Sequence, residues 1–165
     1  MLLGRPPPIM QAPMMAIRVA EPGESEVVVA LRHAALSAEA QSTYSAREVG
    51  ELLDDFDIDE LRAMIEDRQL FVAEIDGLIV GCAGWRGTSL RHVYVATDVQ
   101  GGGLGASLVA RAESDFRNRS SETVIHVASV IYARGFYEKL GYELATNERS
   151  GSEPFRMRKT FTAAS

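Results

Sequence analysis

The sequence predicts an α/β fold, and three observations lead to that prediction. The chain has 165 residues, a length that suits one domain. Strand-like and helix-like segments alternate in the order strand, two helical regions, three strands, helix, strand, helix and two strands. A glycine-rich turn at residues 100–105 joins the last of the three central strands to the next helix. We therefore expect one sheet flanked by helices, formed by residues 15–165 as a single domain.

The composition excludes several classes of protein. Cys82 is the single cysteine, which excludes an internal disulfide framework and a cysteine-rich zinc site, and we expect it in the core. The net charge of -6 argues against a nucleic-acid partner. No apolar run approaches the ~18 residues that would suggest a membrane span. We expect a cytoplasmic protein whose residues 1–14, which contain Pro6, Pro7, Pro8 and Pro13, form a disordered tail.

The first half of the chain predicts a strand followed by helices. Residues 17–20 have the character of a short strand, and the turn at residues 21–24 opens a helix that runs to about Leu36. Residues 46–67 form a second helical region, which the capping pair Asp57 and Glu60 divides in two. This region is strongly acidic, so it is either a solvated helix face or a rim that attracts a cationic substrate.

The second half predicts a three-stranded meander and then alternating elements. Residues 70–75 and 78–85 are apolar runs joined by Asp76-Gly77, a strong hairpin signal, and residues 89–95 form the third strand. In this third strand, alternation places His92 on the face opposite Ser89, Arg91 and Val95. A helix after the glycine turn, a strand at residues 123–128 and a helix at residues 131–140 follow. Closing strands are expected at residues 142–145 and 155–161, with a turn around residues 150–152.

The glycine-rich turn predicts an anion site. Successive backbone amides in such a turn form a concave nest, and the following helix adds its unpaired amides. A Walker A loop is excluded because no lysine follows the glycines. A dinucleotide fingerprint fits Gly101, Gly103 and Ala106 superficially, but Glu122 precedes the next strand rather than ending it. Acyl-coenzyme A is the remaining candidate.

Two motifs resemble signatures of the GCN5-related N-acetyltransferase family. The segment QGGGLG at residues 100–105 matches that family's Q/R-x-x-G-x-G/A loop, and ARGFYEKLGY at residues 133–142 is similar to its A-x-x-F-Y-x-K-x-G-F/Y signature. Their order and spacing also resemble the family, over about residues 16–161. The resemblance implies a mixed sheet of about six or seven strands, splayed at the cofactor site and flanked by about four helices.

The resemblance further implies acetyl transfer from acetyl-CoA to a small-molecule or peptide amine, by direct attack in a ternary complex. It implies no metal, no nucleic-acid or membrane partner, and it allows a homodimer. Tyr137 would be catalytic and protonate or hydrogen-bond the departing sulfur. The implied cofactor-binding residues lie on the strand, the turn and the last helix: Val93, Tyr94, Val95, Gln100, Gly101, Gly102, Gly103, Leu104, Gly105, Ala106 and Phe136.

Two departures from the family pattern leave alternatives open. Ser89 stands where some members carry a glutamate base, and Val130 stands where many carry an asparagine. The base therefore remains unassigned among His92, His126, His33, Glu74 and Tyr44, and Trp85 and Tyr44 either line the acceptor pocket or pack in the core. A non-catalytic acyl-CoA sensor, or an acyltransferase with another donor or acceptor, is the alternative function.

Overall fold

The computed structural model describes residues 14–146, 151 and 153–162. The expected tail, apart from Met14, lies outside these residues, and so does most of the expected turn at residues 150–152. Within the described ranges the strands form one mixed sheet of seven in the order β1-β2-β3-β4-β5-β7-β6. They are β1 (Met15–Val19), β2 (Leu70–Ile75), β3 (Leu78–Arg86), β4 (Ser89–Val95), β5 (Val124–Ser129), β6 (Glu143–Leu144) and β7 (Phe155–Thr160).

Five α-helices occupy the same described part of the chain, where the family resemblance implies about four. They are α1 (Ser25–Ala40), α2 (Ala46–Asp54), α3 (Ile58–Glu66), α4 (Leu104–Arg119) and α5 (Arg134–Lys139). The expected end of α1 near Leu36 is wrong, because the helix continues far enough to bury Ala40 completely. None of the described helices combines the length and the hydropathy needed to cross a membrane.

The predicted division of the second helical region is confirmed. Ser45 caps α2 in a reciprocal capping box with Glu48. Asp57 then caps α3, since its Oδ1 accepts hydrogen bonds from the backbone N–H groups of Asp59 and Glu60 at 3.0 and 3.1 Å. Two successive N-caps explain why one apolar pattern gives two helices rather than one long one.

Helices cover the sheet on both faces, and the alternation of the strands separates two cores. Phe71 packs with Leu108 and Phe116 of α4, whereas its neighbour Val72 packs on the other face with residues of α1 and α3, including Val28 and Leu61. Burying a side chain of this size stabilises the fold by ~1.5–3 kcal/mol. The two layers fix β4 from both sides, and the candidate site lies beside this strand.

Candidate functional site

The sheet opens between β4 and β5. These parallel strands share a single residue pair, Ser89 with His126, beside which His126 N–H donates to the Thr88 carbonyl at 2.8 Å. Beyond this pair the strands diverge, and a cavity of about 920 Å³ extends along the gap, lined by Val93 and Val95 on one side and by residues of β5 on the other. A cavity of this size suits a sizeable organic ligand.

A β-bulge interrupts β4 at the gap. Its pairing with β3 passes from Arg91↔Gly84 to Tyr94↔Cys82, so Ala83 faces two residues, His92 and Val93. His92 takes a φ of 56°, in the left-handed region. The expectation that His92 and Arg91 face opposite ways is therefore wrong, because an extra residue in the strand breaks the two-residue alternation.

Cys82 of β3, which is fully buried as predicted, contacts the bulge. Its Sγ–H donates to the carbonyl of His92 at 3.0 Å. The carbonyl and N–H of one trans peptide unit point in opposite directions, so the N–H of Val93 points away from the Cys82 sulfur. Burial raises the pKa of the Cys82 thiol to about 12, which keeps the thiol protonated and unreactive at neutral pH.

The glycine turn combines an open cradle with one close packing contact. Gly101 and Gly103 have φ values of 88° and 82°, and a Cβ atom at either would meet nothing within 4 Å. Gly103 is also the N-cap of α4, whose first amides have no partner within the helix. At Gly105, by contrast, a Cβ would lie 3.2 Å from the ring of Phe136. The first two glycines leave room for a ligand, and the third lets α4 approach α5.

Gln100 ties this turn to its surroundings. Its side-chain amide donates to the Val95 carbonyl at 3.0 Å and to the carboxylate of Glu39 at the end of α1. The carbonyl of Val95 thus already accepts one hydrogen bond from within the chain. These two hydrogen bonds connect the turn to β4 and to α1.

Tyr137 lies on α5 where the helix faces the gap. Its side chain is largely buried, with edge contacts to the rings of Phe136 and Tyr142 at 5.0 and 5.6 Å. Burial raises the pKa of the Tyr137 hydroxyl well above its usual value, so the hydroxyl stays protonated and can donate a hydrogen bond or a proton. Every sequence-predicted site residue except Gly102 lines the cavity, and Tyr137 is among them.

The other half of the cavity is formed by α1, α2 and the start of α3. Arg32 is buried there, and its guanidinium donates to the carbonyls of Leu53 and Asp55 at 3.0 Å, which satisfies the C-terminal end of α2. Tyr44 is also buried, and its hydroxyl accepts a hydrogen bond from the N–H of Ile131 at 2.8 Å. Tyr44 thus contacts the turn that follows Val130, close to the expected position of the missing asparagine.

The structure separates the base candidates. His33 and His126 are exposed and outside the cavity lining, and Glu74 is paired with Arg18. His92 and Tyr44 line the cavity. Burial beside cationic groups lowers the pKa of His92 to about 4, so this ring is neutral at pH 7. Trp85 packs against Phe116, at a ring distance of 5.4 Å, and is a core residue rather than a lining residue.

Sequence reasoning did not single out Glu60 as part of the cavity. It was expected to cap α3 and to belong to the acidic segment. Its carboxylate extends to β4, where Oε1 lies 3.4 Å from Arg91 Nε and 3.9 Å from His92 Nε2. Only its place in the acidic segment hinted at this role. Among the described residues, no three His, Cys, Asp or Glu side chains come together in a way that could hold a metal ion.

Known proteins resemble this chain in sequence and in structure. A family model described as an acetyltransferase (GNAT) domain matches residues 40–161. A blasticidin-S acetyltransferase of Streptomyces morookaense is 33% identical over 75 residues, which are 45% of this chain and 55% of that protein. The match thus spans about half the length of this relative.

Solved structures share the whole fold. A GCN5-related N-acetyltransferase from Rhodopseudomonas palustris has a TM-score of 0.74 at 23% identity, over 93% of this chain and 98% of that one. The PaiA N-acetyltransferase of Thermoplasma acidophilum, solved with coenzyme A, has a TM-score of 0.71 at 15% identity, over 90% and 99%. YncA of Salmonella typhimurium, solved with acetyl-CoA, has a TM-score of 0.63 at 20% identity, over 92% and 96%.

Proposed function

This chain belongs to the GNAT acetyltransferase family, and from that premise we propose that it transfers an acetyl group from acetyl-CoA to an amine in a ternary complex. The single observation that carries the proposal is the gap between β4 and β5, which leads directly to the glycine turn at the start of α4. The gap accepts an extended arm, and the turn accepts an anion. Acetyl-CoA has both features.

The chain's own backbone would hold the cofactor. The pantetheine arm would lie along Val93, Tyr94 and Val95 as an added strand. The pyrophosphate would rest on the amides of residues 101–106, where Gly101 and Gly103 leave open space and α4 presents its N-terminus. Phe136 would border the arm from α5, since it lines the same cavity.

The same arrangement supports acyl transfer to nitrogen. The N–H of Val93, turned away from Cys82, would stabilise the oxyanion that forms when the amine attacks the thioester carbonyl. Tyr137, held protonated, would hydrogen-bond or protonate the departing thiolate. Cys82 is buried and protonated, which favours direct attack over an acetyl-cysteine intermediate.

The acceptor would be a small-molecule or peptide amine that enters from the side of α1, α2 and α3. Carboxylates of this side, Glu39, Asp55, Asp57 and Glu60, line the cavity and favour a cationic acceptor. We expect the reaction to take place in the cytoplasm, with the chain as a monomer or a homodimer.

Calorimetric titration tests the cofactor assignment. Acetyl-CoA and free coenzyme A should bind with micromolar affinity, whereas NADH and ATP, as matched nucleotide controls, should bind much more weakly. Equal binding of all four compounds would reduce the site to a general phosphate cradle. No binding of either CoA species would contradict the proposal.

A further inference from the structure

The carboxylate of Glu60 occupies an unusual position for a residue in the first turn of a helix. It stands three residues after the N-cap Asp57, where a glutamate commonly folds back onto the backbone of the cap. Glu48 does this in α2, where it completes a capping box with Ser45. The side chain of Glu60 instead leaves its own helix and crosses to the bulge of β4.

This position brings a carboxylate into the cavity beside the bulge. About a quarter of the Glu60 side chain is exposed, and it lines the cavity together with Val93 and Tyr137. Arg91 Nε lies 3.4 Å from its Oε1, but half of the Arg91 side chain is in solvent, so this ion pair is partly solvated. Glu60 is therefore accessible to a ligand that enters the cavity.

The ring of His92 lies close to the same carboxylate. Its Nε2 lies 3.9 Å from Glu60 Oε1 and, within the described part of the chain, is the one buried side-chain nitrogen or oxygen without a hydrogen-bond partner. This nitrogen is closed to solvent, so an amine in the cavity meets Glu60 before it can meet His92. Packing of the ring against Phe56, at 5.7 Å between ring centres, holds His92 in this place.

We propose that Glu60 is the catalytic residue that binds the ammonium group of a cationic acceptor and takes its proton, the task that Ser89 cannot perform. The proposal rests on the proposed acetyl transfer. The charged and titratable groups that line the cavity around Glu60 come from three neighbouring parts of the chain: Arg91, His92 and Tyr94 on β4, Arg32 on α1, and Asp55 and Asp57 before α3.

The step balances as follows. The ammonium gives one proton to the Glu60 carboxylate, and the freed lone pair forms a bond to the thioester carbonyl carbon. The carbon–sulfur bond then breaks, and the thiolate receives the second proton of the nitrogen, directly or through Tyr137. The products are the acetylated amine, free coenzyme A with its thiol, and one proton that Glu60 returns to solvent.

The test compares Glu60→Gln with Glu66→Gln, which removes the same charge from an exposed position at the far end of α3. Initial rates of thiol release are measured with acetyl-CoA and with putrescine, tyramine or Nα-acetyllysine amide, whose reactive amines are all alkylamines, between pH 6 and pH 9.5. Removing a general base costs about 10²-fold or more. We therefore expect kcat/KM for the amine to fall by about 10²-fold at pH 7 in Glu60→Gln, with an unchanged KM for acetyl-CoA and no loss in Glu66→Gln.

The dependence on pH distinguishes proton transfer from a structural effect. The variant must use amine that is already neutral, and this fraction rises about tenfold per pH unit below the amine pKa of ~10.4. The ratio of wild-type to variant kcat/KM should therefore fall about tenfold per unit as the pH rises. Glu60→Asp, which keeps a carboxylate, should retain the wild-type pH profile at a reduced rate.

Three results would overturn the proposal. One is a ratio that stays constant with pH, another is an equal loss in Glu66→Gln, and the third is a loss confined to the KM for the amine. In each of these the wild-type protein still acetylates amines, so the proposed function stands. A wild-type protein that binds acetyl-CoA but acetylates none of the three amines would overturn both proposals together.

Discussion

Substituting Gly103 by aspartate or by asparagine separates charge from shape at the proposed pyrophosphate site. Both substituted residues must adopt a φ of 82°, which asparagine and aspartate tolerate better than most other non-glycine residues. A Cβ at this position meets nothing within 4 Å, so neither substitution disturbs the packing of the protein. The two variants share size and backbone strain and differ in one negative charge.

The expected difference follows from Coulomb's law. A carboxylate about 4 Å from a phosphate charge is repelled by about 1 kcal/mol in water and by about 4 kcal/mol at an effective dielectric constant of 20. Gly103 is exposed, so the lower part of this range applies. A penalty of about 1.4 kcal/mol corresponds to a tenfold change in Kd. We expect Gly103→Asp to bind coenzyme A about tenfold more weakly than Gly103→Asn.

Calorimetric titration of coenzyme A into both variants measures the difference, and thermal unfolding verifies that both are folded. The difference should shrink at about 1 M salt, where the Debye length is about 3 Å. Equal affinities of the two variants at low salt would refute the assignment of the glycine turn to a phosphate group. A difference that persists undiminished at high salt would refute its electrostatic origin.

The remaining predictions concern the cavity and the bulge. Tyr137→Phe should lower kcat roughly 10²-fold without changing the KM for acetyl-CoA, which steady-state kinetics would show; an unchanged kcat removes its acid role. Cys82→Ala should lower kcat about tenfold at an unchanged KM, because it removes the donor to the His92 carbonyl. Cys82→Ser restores a donor and should recover most of the wild-type kcat. Equal kcat values in the alanine and serine variants would exclude this positioning role. The pKa of His92 is lowered from 6.5 in the unfolded chain to about 4 in the folded protein, so the unfolded chain takes up this proton first as the pH falls. The free energy of unfolding should therefore decrease by about 3 kcal/mol between pH 6.5 and pH 4 on account of His92. Urea unfolding at several pH values should show this decrease in the wild type and not in His92→Asn. The same dependence of the free energy of unfolding on pH in both proteins would contradict the prediction. Gly84→Ala would place a Cβ 2.5 Å from the Gln69 carbonyl oxygen. It should lower the free energy of unfolding by about 1–3 kcal/mol in the same assay. An unchanged free energy of unfolding would contradict the close packing at Gly84.

The order of the elements could be predicted because each carries a local signal. The Asp76-Gly77 hairpin, the N-cap at Asp57 and the glycine turn each depend on a few residues that are neighbours in the sequence, and the structure contains all three. The division of residues 46–67 into two helices could be predicted for the same local reason. Asp57 carries an N-cap signal within an acidic stretch, and the structure starts α3 directly after it.

The geometry of the site depends on contacts that local patterns do not encode. The bulge in β4 places a histidine, not a glycine, at a φ of 56°, so no residue type marks it in the sequence. Because of this bulge, the predicted orientation of the His92 side chain relative to Arg91 was wrong. The contact of Glu60 with β4 joins residues more than 30 positions apart, and the sequence showed it only as one charge in an acidic segment. The division of the glycines into an open pair and the packed Gly105 likewise depends on where α5 lies.

Initial-rate kinetics with both substrates varied test the central claim most directly. Thiol release is followed while acetyl-CoA and a cationic amine such as putrescine are varied independently, and the acetylated amine is identified by mass spectrometry. The account predicts thiol release that requires both substrates, an acetylated product in equal amount, and reciprocal plots that intersect. Parallel plots would indicate an acetyl-enzyme and contradict direct attack. Coenzyme A binding without any acetylated amine would contradict the assignment of the chain as an acetyltransferase of amines.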